Sequence, residues 1–401
     1  MDLSTGYPFW LIRNGLKYDY PFLENDLDTD VLIMGGGISG ALIAYKLINE
    51  NINCSLIDGR SIGLGSTCAS TSLLQYEIDI PLYELIKKIG KDKAVAAYKL
   101  CSDAIDKIES IAKKTGFADF ERRQSLYFAA SKNDIDFLKE EFKARKESGF
   151  DVQFLNANEI KQKFNFPSAA AILSKQGGEI DVYSFTHALL QYGIKKGLKV
   201  FDRTQGLNIK NTKQGISLKT EKGYKITARK LVYATGYETV KYIDEKYLEL
   251  KSTYAVCSEP MNEKYLERFK GSIFWNTNDP YFYMRLTPDN RILIGGRDEN
   301  YYDPVKRDKL LSKKTKLLIS DFKKLFPGIA FKPEFSWTGT FSATEDGLPF
   351  IGKYKKMLNR YFSLGFGGNG ITFSMIGAEI IADMLKGKEN SRQEIFSFGR
   401  V

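Results

Sequence analysis

The chain has 401 residues, 43% of them hydrophobic and 27% charged, and a formal charge of +10 from 59 Lys and Arg against 49 Asp and Glu. That length supports a large core and two domains, and the composition excludes a disordered or collagen-like chain. The positive residues are spread over pairs such as Lys87-Lys88, Lys195-Lys196 and Lys323-Lys324, with no dense basic tract, so the charge reads as a solvated surface ahead of an anionic partner such as nucleic acid.

Cysteines stand at 54, 68, 101 and 257 without a C-x-x-C pair, and His187 is the lone histidine, so neither a metal site nor a disulfide framework is expected. A reducing cytoplasm fits that cysteine usage. Cys101 shares a helical face with Tyr98, Ile105, Ile108 and Ala112 and reads as core. No basic region followed by a long apolar core opens the chain, so no secretory signal is expected. The uncharged run from Val31 to Tyr45 is too short and too Gly-rich to span a bilayer.

The first informative element is a short apolar strand, Val31 to Met34, running into Gly35-Gly36-Gly37-Ile38-Ser39-Gly40 and then an apolar helix. Gly35, Gly37 and Gly40 have the spacing G-x-G-x-x-G. Gly35 permits the tight turn, Gly37 lets a pyrophosphate approach the backbone, and Gly40 lets the helix pack closely on the strand. The helix N-terminus offers free N–H groups and partial positive charge to phosphate. A second strand, Cys54 to Ile57, ends at Asp58, 18 residues after Gly40, where an acid can accept from an adenosine ribose.

Residues from about 84 to 150 read as mainly helical, with Ser131 as an N-cap, Ile135, Leu138 and Phe142 at helical spacing, and Gly149 as a stop. A helix from about 184 to 196 follows, then strand-like runs at 198–201, 215–220, 225–228 and 230–233, the last entering Ala234-Thr235-Gly236. A β-rich section holds Tyr254 to Cys257, Ser272 to Trp275, Tyr281 to Leu286 and Arg291 to Ile294, and a Lys-rich helix occupies about 307–325. Finally a strand from Tyr361 to Leu364 enters a second glycine turn, Gly365 to Gly370, and a helix from about 371 to 386. Two such turns at opposite ends of one chain can grip two parts of one long ligand.

With these turns, the segments Gly63-Leu64-Gly65-Ser66-Thr67 and Asp346-Gly347-Leu348-Pro349-Phe350-Ile351-Gly352 complete a pattern in which the chain resembles the D-amino-acid oxidase/glycine oxidase superfamily of FAD-dependent oxidoreductases. Its opening, with Tyr7-Pro8-Phe9-Trp10 and Tyr20-Pro21-Phe22, is similar to the gamma-glutamylputrescine oxidase branch. The resemblance implies an α/β fold, α+β overall: a Rossmann-like FAD domain of glutathione-reductase type, built from 1–83, 152–240 and 335–401, and a β-rich substrate domain from 84–151 and 241–334.

It also implies non-covalent FAD. Gly35, Gly37, Ile38, Ser39 and Gly40 would hold the pyrophosphate and Asp58 the ribose, with Gly65, Ser66 and Thr67 on the flavin side and backbone at Leu207 near the adenine. Ala234, Thr235 and Gly236 would sit near the cofactor, and Gly367, Gly368, Asn369, Gly370 and Ile371 against its ribityl chain and ring. The implied chemistry is oxidation of the C–N bond of an amine or amino acid by hydride transfer to flavin N5, giving an imine that water hydrolyses; the acceptor that reoxidises the flavin stays open between oxygen and another carrier. A tRNA wobble-base oxidoreductase of the same superfamily and a non-catalytic flavoprotein are the alternatives.

The family's carboxylate anchors are replaced. Phe341 stands where glycine oxidases carry Arg, Thr372 where sarcosine oxidase has Lys, and Cys68-Ala69 where the putrescine branch has Gly-Arg. Arg285, on one strand face with Tyr281 and Tyr283, is the substitute anchor by hypothesis, against a structural ion pair; Arg285, Tyr283 and Tyr254 are the substrate-side candidates.

Overall fold

The computed structural model describes residues 1–400 except 244, 245, 355 and 356. Among them the parallel core of one sheet runs through Lys225–Tyr233, Leu27–Met34, Cys54–Ile57 and Lys199–Phe201. The first strand is covered on both faces, so it reads as a continuous apolar run. Ile33 joins the core under the helices, whereas Leu32 and Met34 join the opposite layer with Leu218 and Phe362. The runs 225–228 and 230–233 are one strand, paired along one edge with Leu27–Met34 and along the other with two partners in turn. Its first half pairs with the hairpin Gly206–Thr212/Gly215–Thr220, and its last residues pair in parallel with Arg360–Leu364. All the parallel strands end toward one edge, so Met34, Ile57 and Tyr233 open on the same side, the usual ligand side of such sheets.

Helix Ile38–Asn49 packs against Val182–Ile194 and Gly370–Leu385. The last of these is apolar around most of its surface because it lies between that helix, Lys91–Thr115 and the strand Phe350–Lys353.

A second sheet has the order Pro333–Ala343, Glu249–Ser258, Ile292–Glu299, Tyr283–Leu286, Ser272–Asn276, Gln124–Phe128, Ala170–Ser174, Val152–Asn156. Helix Pro304–Leu325 covers one face with Leu318 and Phe322. It begins at Pro304, with Asp303 accepting from the Lys306 N–H.

The domain limits expected from the sequence shift at two places. Residues 152–174, expected with the FAD domain, carry two strands of the substrate sheet, because parallel pairing of Gln124–Phe128 with Ser272–Asn276 draws that hairpin in. Helices Leu82–Ile89 and Lys91–Thr115, expected with the substrate domain, bury Leu82, Leu85, Tyr98 and Ile105 in the core of the dinucleotide helix. Cys101 lies in that core, fully buried.

Candidate active site

At the first glycine turn, each glycine has a separate steric reason. Gly35 has φ +113°, and a Cβ there would collide with the Ala234 carbonyl. A Cβ on Gly40 would strike the Gly35 carbonyl, which fixes the close approach of helix and strand. Gly37 differs: its φ of −83° suits any residue, and a Cβ would meet only Thr67 Oγ1, at 2.8 Å. Thr67 accepts from the Ile38 N–H at 3.0 Å, and no side chain of the turn caps the helix. Gly37 is therefore bare toward open space, as close approach of a phosphate requires.

Asp58 closes this turn from the second strand. Its Oδ2 accepts from the Gly36 N–H at 2.6 Å and its Oδ1 from the Arg60 N–H at 2.7 Å. Burial raises its carboxyl against the lowering pull of those two donors. Arg60 pairs with Glu238 at 2.6 Å. Burial opposes ionisation of Glu238, but Arg60, the N-terminal ammonium and Lys241 outweigh it and hold Glu238 at about 2.

These groups border a cleft of about 430 Å³ lined also by Ser39, Gly65, Ser66, Thr67, Ala234 to Gly236 and Gly370. A smaller cleft of about 140 Å³ continues from it, sharing Ser66, Ser70, Tyr237, Gly370 and Ile371. Ser66 Oγ, at that junction, is buried without a hydrogen-bond partner. A buried orphan of this kind calls for a ligand. A long cleft with a bare Gly37, the acid Asp58 at the end of the second strand and a free Ser66 hydroxyl at the junction fits an FAD-sized group.

The second glycine turn forms the far wall. Gly365 and Gly367 have φ +81° and +54°. Asn369 points away from the cleft and donates to the carbonyls of Gln75 and Glu77, tying the turn to residues 75–79. From that segment Asp79 accepts from the Gly368 N–H at 2.8 Å and from Tyr281 Oη at 3.2 Å. Burial raises the Asp79 carboxyl, opposed by those donors and by Lys251.

Most of the cofactor positions expected from the sequence meet in the two clefts, with three exceptions. Gly40 packs the helix on the strand. Leu207 is 40% exposed while its neighbour Gly206 lines the cleft, because strand alternation turns that side chain outward. Asn369 acts through the turn it ties down.

The substrate-side candidates divide. Tyr283 lines the smaller cleft beside Tyr281 and Thr253. Tyr254 is on the other face of its strand, in the core with Val256 and Phe274. Arg285 does not line either cleft among the described residues and is 2% exposed. Its Nη1 donates to the carbonyls of Thr71, Ser72 and Ile180, and its Nε lies 3.3 Å from Glu179. The structural ion pair, and not the substrate anchor, describes its surroundings. Cys68 is buried with Sγ turned to the Gly65 carbonyl and lines neither cleft.

Sequence reasoning missed Tyr237, Asp79 and Asp298. Tyr237 directly follows Ala234-Thr235-Gly236. Asp298 follows Gly295-Gly296 inside a strand, a pattern that signals close approach of another group; a Cβ on Gly295 would collide with the Tyr283 ring. Asp79 carried no local signal.

Comparison with known proteins gives the family. The family described as FAD dependent oxidoreductase (DAO) matches residues 30–384. Among curated relatives, Probable oxidoreductase OrdL of Haemophilus influenzae is 21% identical over 94% of this chain and 88% of its own. Gamma-glutamylputrescine oxidoreductase of Escherichia coli K12 is 24% identical over 91% of this chain and 85% of its own. The crystal structure of glycine oxidase from Geobacillus kaustophilus superposes with a TM-score of 0.78 at 19% identity, covering 94% of this chain and 99% of that one. The chain belongs to the DAO family of FAD-dependent oxidoreductases.

Proposed function

We propose that this chain oxidises the C–N bond of an amine or amino acid, removing a hydride from the carbon and leaving an imine that water hydrolyses to a carbonyl compound. The observation that carries this reading is that the 430 Å³ and 140 Å³ clefts meet at Ser66, Tyr237 and Gly370, so that a small substrate in the second would lie beside a cofactor held in the first. The relatives' names support the same substrate class: one is a gamma-glutamylputrescine oxidoreductase and another a glycine oxidase.

Gly35, Gly37, Ile38 and Ser39 would hold the pyrophosphate and Asp58 the ribose. Gly65, Ser66, Thr67, Ala234 to Gly236 and the turn Gly367 to Ile371 would hold the flavin half. FAD held there would supply the two-electron acceptor for that hydride.

The protein's part is binding and orientation. Burial raises the phenols of Tyr237, Tyr281 and Tyr283, so they remain neutral walls that can donate O–H. Phe341 and Ile371 give the small cleft an apolar side. Among the described residues no helix is long and apolar enough to cross a membrane.

The test is an anaerobic screen of FAD-loaded protein against amines, N-methyl amino acids and D-amino acids, followed by admission of air. Bleaching of the flavin band by at least one of them is expected. No bleaching by any would favour a non-catalytic flavoprotein, and a salt-sensitive shift with tRNA would favour the nucleic-acid alternative.

A further inference from the structure

Hydride removal from an amine leaves open what holds the rest of the substrate. In the small cleft, Asp298 is the one charged side chain among the described lining residues; no Lys, Arg or His joins it. Its Oδ1 is shut off from water and has no hydrogen-bond partner. Tyr281 and Tyr283 stand beside it with their ring centroids 5.8 Å apart. A second carboxylate, Asp79, lies behind two of the lining residues, held by the Gly368 N–H and Tyr281 Oη.

We propose, resting on the amine-oxidation reading above, that Asp298 is the substrate anchor and that it selects a cationic substrate: an ammonium seated on the Asp298 carboxylate between the faces of Tyr281 and Tyr283, in place of a substrate carboxylate.

Three observations carry this. First, an unpartnered buried carboxylate oxygen requires a donor, and an ammonium brings three. Second, tyrosine faces attract cations and add to such a site. Third, the positions that would serve a carboxylate are closed: Phe341 lines the cleft as an apolar ring, Thr372 donates to the Asn369 carbonyl, and Arg285 is consumed by carbonyls and Glu179.

The surrounding charges agree. Burial pushes the Asp298 carboxyl up to about 7, and Asp79 adds to that rise while Thr253, Lys251 and Lys314 oppose it. Lys314 is held by the Arg297 carbonyl at 2.6 Å and by Glu299 at 2.5 Å, and Lys251 sits in register with Phe341 at the border. With Asp298 in the lining and Asp79 near it, against Lys251 and an already paired Lys314, the cleft is short of positive charge, which a bound ammonium restores.

The probes are tert-butylammonium and pivalate, which share the tert-butyl group and carry opposite charge. Neither has a hydrogen on the carbon bearing the polar group, so neither is oxidised. Binding is read from the visible flavin spectrum of FAD-loaded protein, and from fluorescence of Trp275, 6.0 Å from Tyr281, with or without FAD. Saturable binding of tert-butylammonium, at least tenfold tighter than pivalate, is expected, with a tenfold or greater loss in Asp298→Asn while FAD retention is unchanged. Pivalate binding equal to or tighter than the ammonium, or unchanged ammonium binding in Asp298→Asn, would overturn the proposal. The ammonium-against-pivalate comparison in the native protein stands even if the variant folds poorly. The two readings fail separately: ammonium binding with no amine bleaching the flavin removes the oxidation reading alone, and bleaching with preference for pivalate removes the anchor alone.

Discussion

Gly37→Ala separates a glycine kept for a ligand from one kept for packing. In the protein without FAD the new Cβ meets only Thr67 Oγ1, at 2.8 Å, and φ at this position is ordinary. Displacing Thr67 weakens one hydrogen bond from the Ile38 N–H, a cost of about 1 kcal/mol. Replacing Gly by Ala at an unstrained position returns about 0.4–1 kcal/mol. The unliganded fold should therefore change by less than about 1 kcal/mol. With FAD at about 100 times its Kd, native protein gains about 2.7 kcal/mol from binding. If the methyl group holds the pyrophosphate off the backbone and raises Kd about 100-fold, that gain falls to about 0.4 kcal/mol at the same concentration. Denaturation with and without FAD measures both quantities. Gly40→Ala is the counterpart: its Cβ strikes the Gly35 carbonyl, so stability should fall with FAD or without it. If Gly37→Ala destabilised the FAD-free protein as much as Gly40→Ala and left FAD affinity intact, the phosphate-approach argument would be refuted.

Other outcomes follow from the same contacts. Arg285→Leu should cost about 3–5 kcal/mol in denaturant unfolding, because Glu179 and three carbonyls lose a buried cation; stability within about 1 kcal/mol of native together with a raised KM would restore the anchor role. Asp298 sets a pH dependence of opposite sign to a paired surface acid. Its carboxyl rises from 3.8 to about 7 on folding, so its contribution is full below pH 3.8 and is lost as pH rises through 7. About three pKa units correspond to at most about 4 kcal/mol. Asp298→Asn should flatten that part of the stability profile of substrate-free protein, with Asp79, Lys251 and Lys314 unchanged around it. Equal profiles for native and variant would count against the buried carboxylate.

The dinucleotide end was legible because its logic is local: Gly35, Gly37, Gly40 and Asp58 lie within one strand–helix–strand unit, and their spacing carries the geometry. Gly365 to Gly370 was legible for the same reason. The substrate end was not, since Tyr281, Asp298, Thr253 and Phe341 come from four separate strand regions that only the sheet order brings together. Arg285 shows the limit of alternation. It shares a face with Tyr283, but Thr71, Ser72 and Ile180 lie over that face two residues further along and take its guanidinium. The strand Pro333–Ala343 escaped notice because its pattern mixes Thr, Ser and Gly, yet it contributes Gly339, Thr340 and Phe341 to the cleft. The domain limits failed at 152–174 because 170–174 joins the substrate sheet through 124–128, whose other partner, 272–276, lies about 150 residues further along the chain, and such pairing has no trace in local pattern.

Amine oxidation through the joined clefts is tested most directly by anaerobic rapid mixing of FAD-loaded protein with a responsive amine and with the same amine deuterated on the carbon bearing nitrogen. Complete loss of the flavin band is predicted, with one carbonyl product per FAD and slower bleaching for the deuterated amine. Carbonyl product formed while the band stays intact, or bleaching at the same rate with no product, would contradict it.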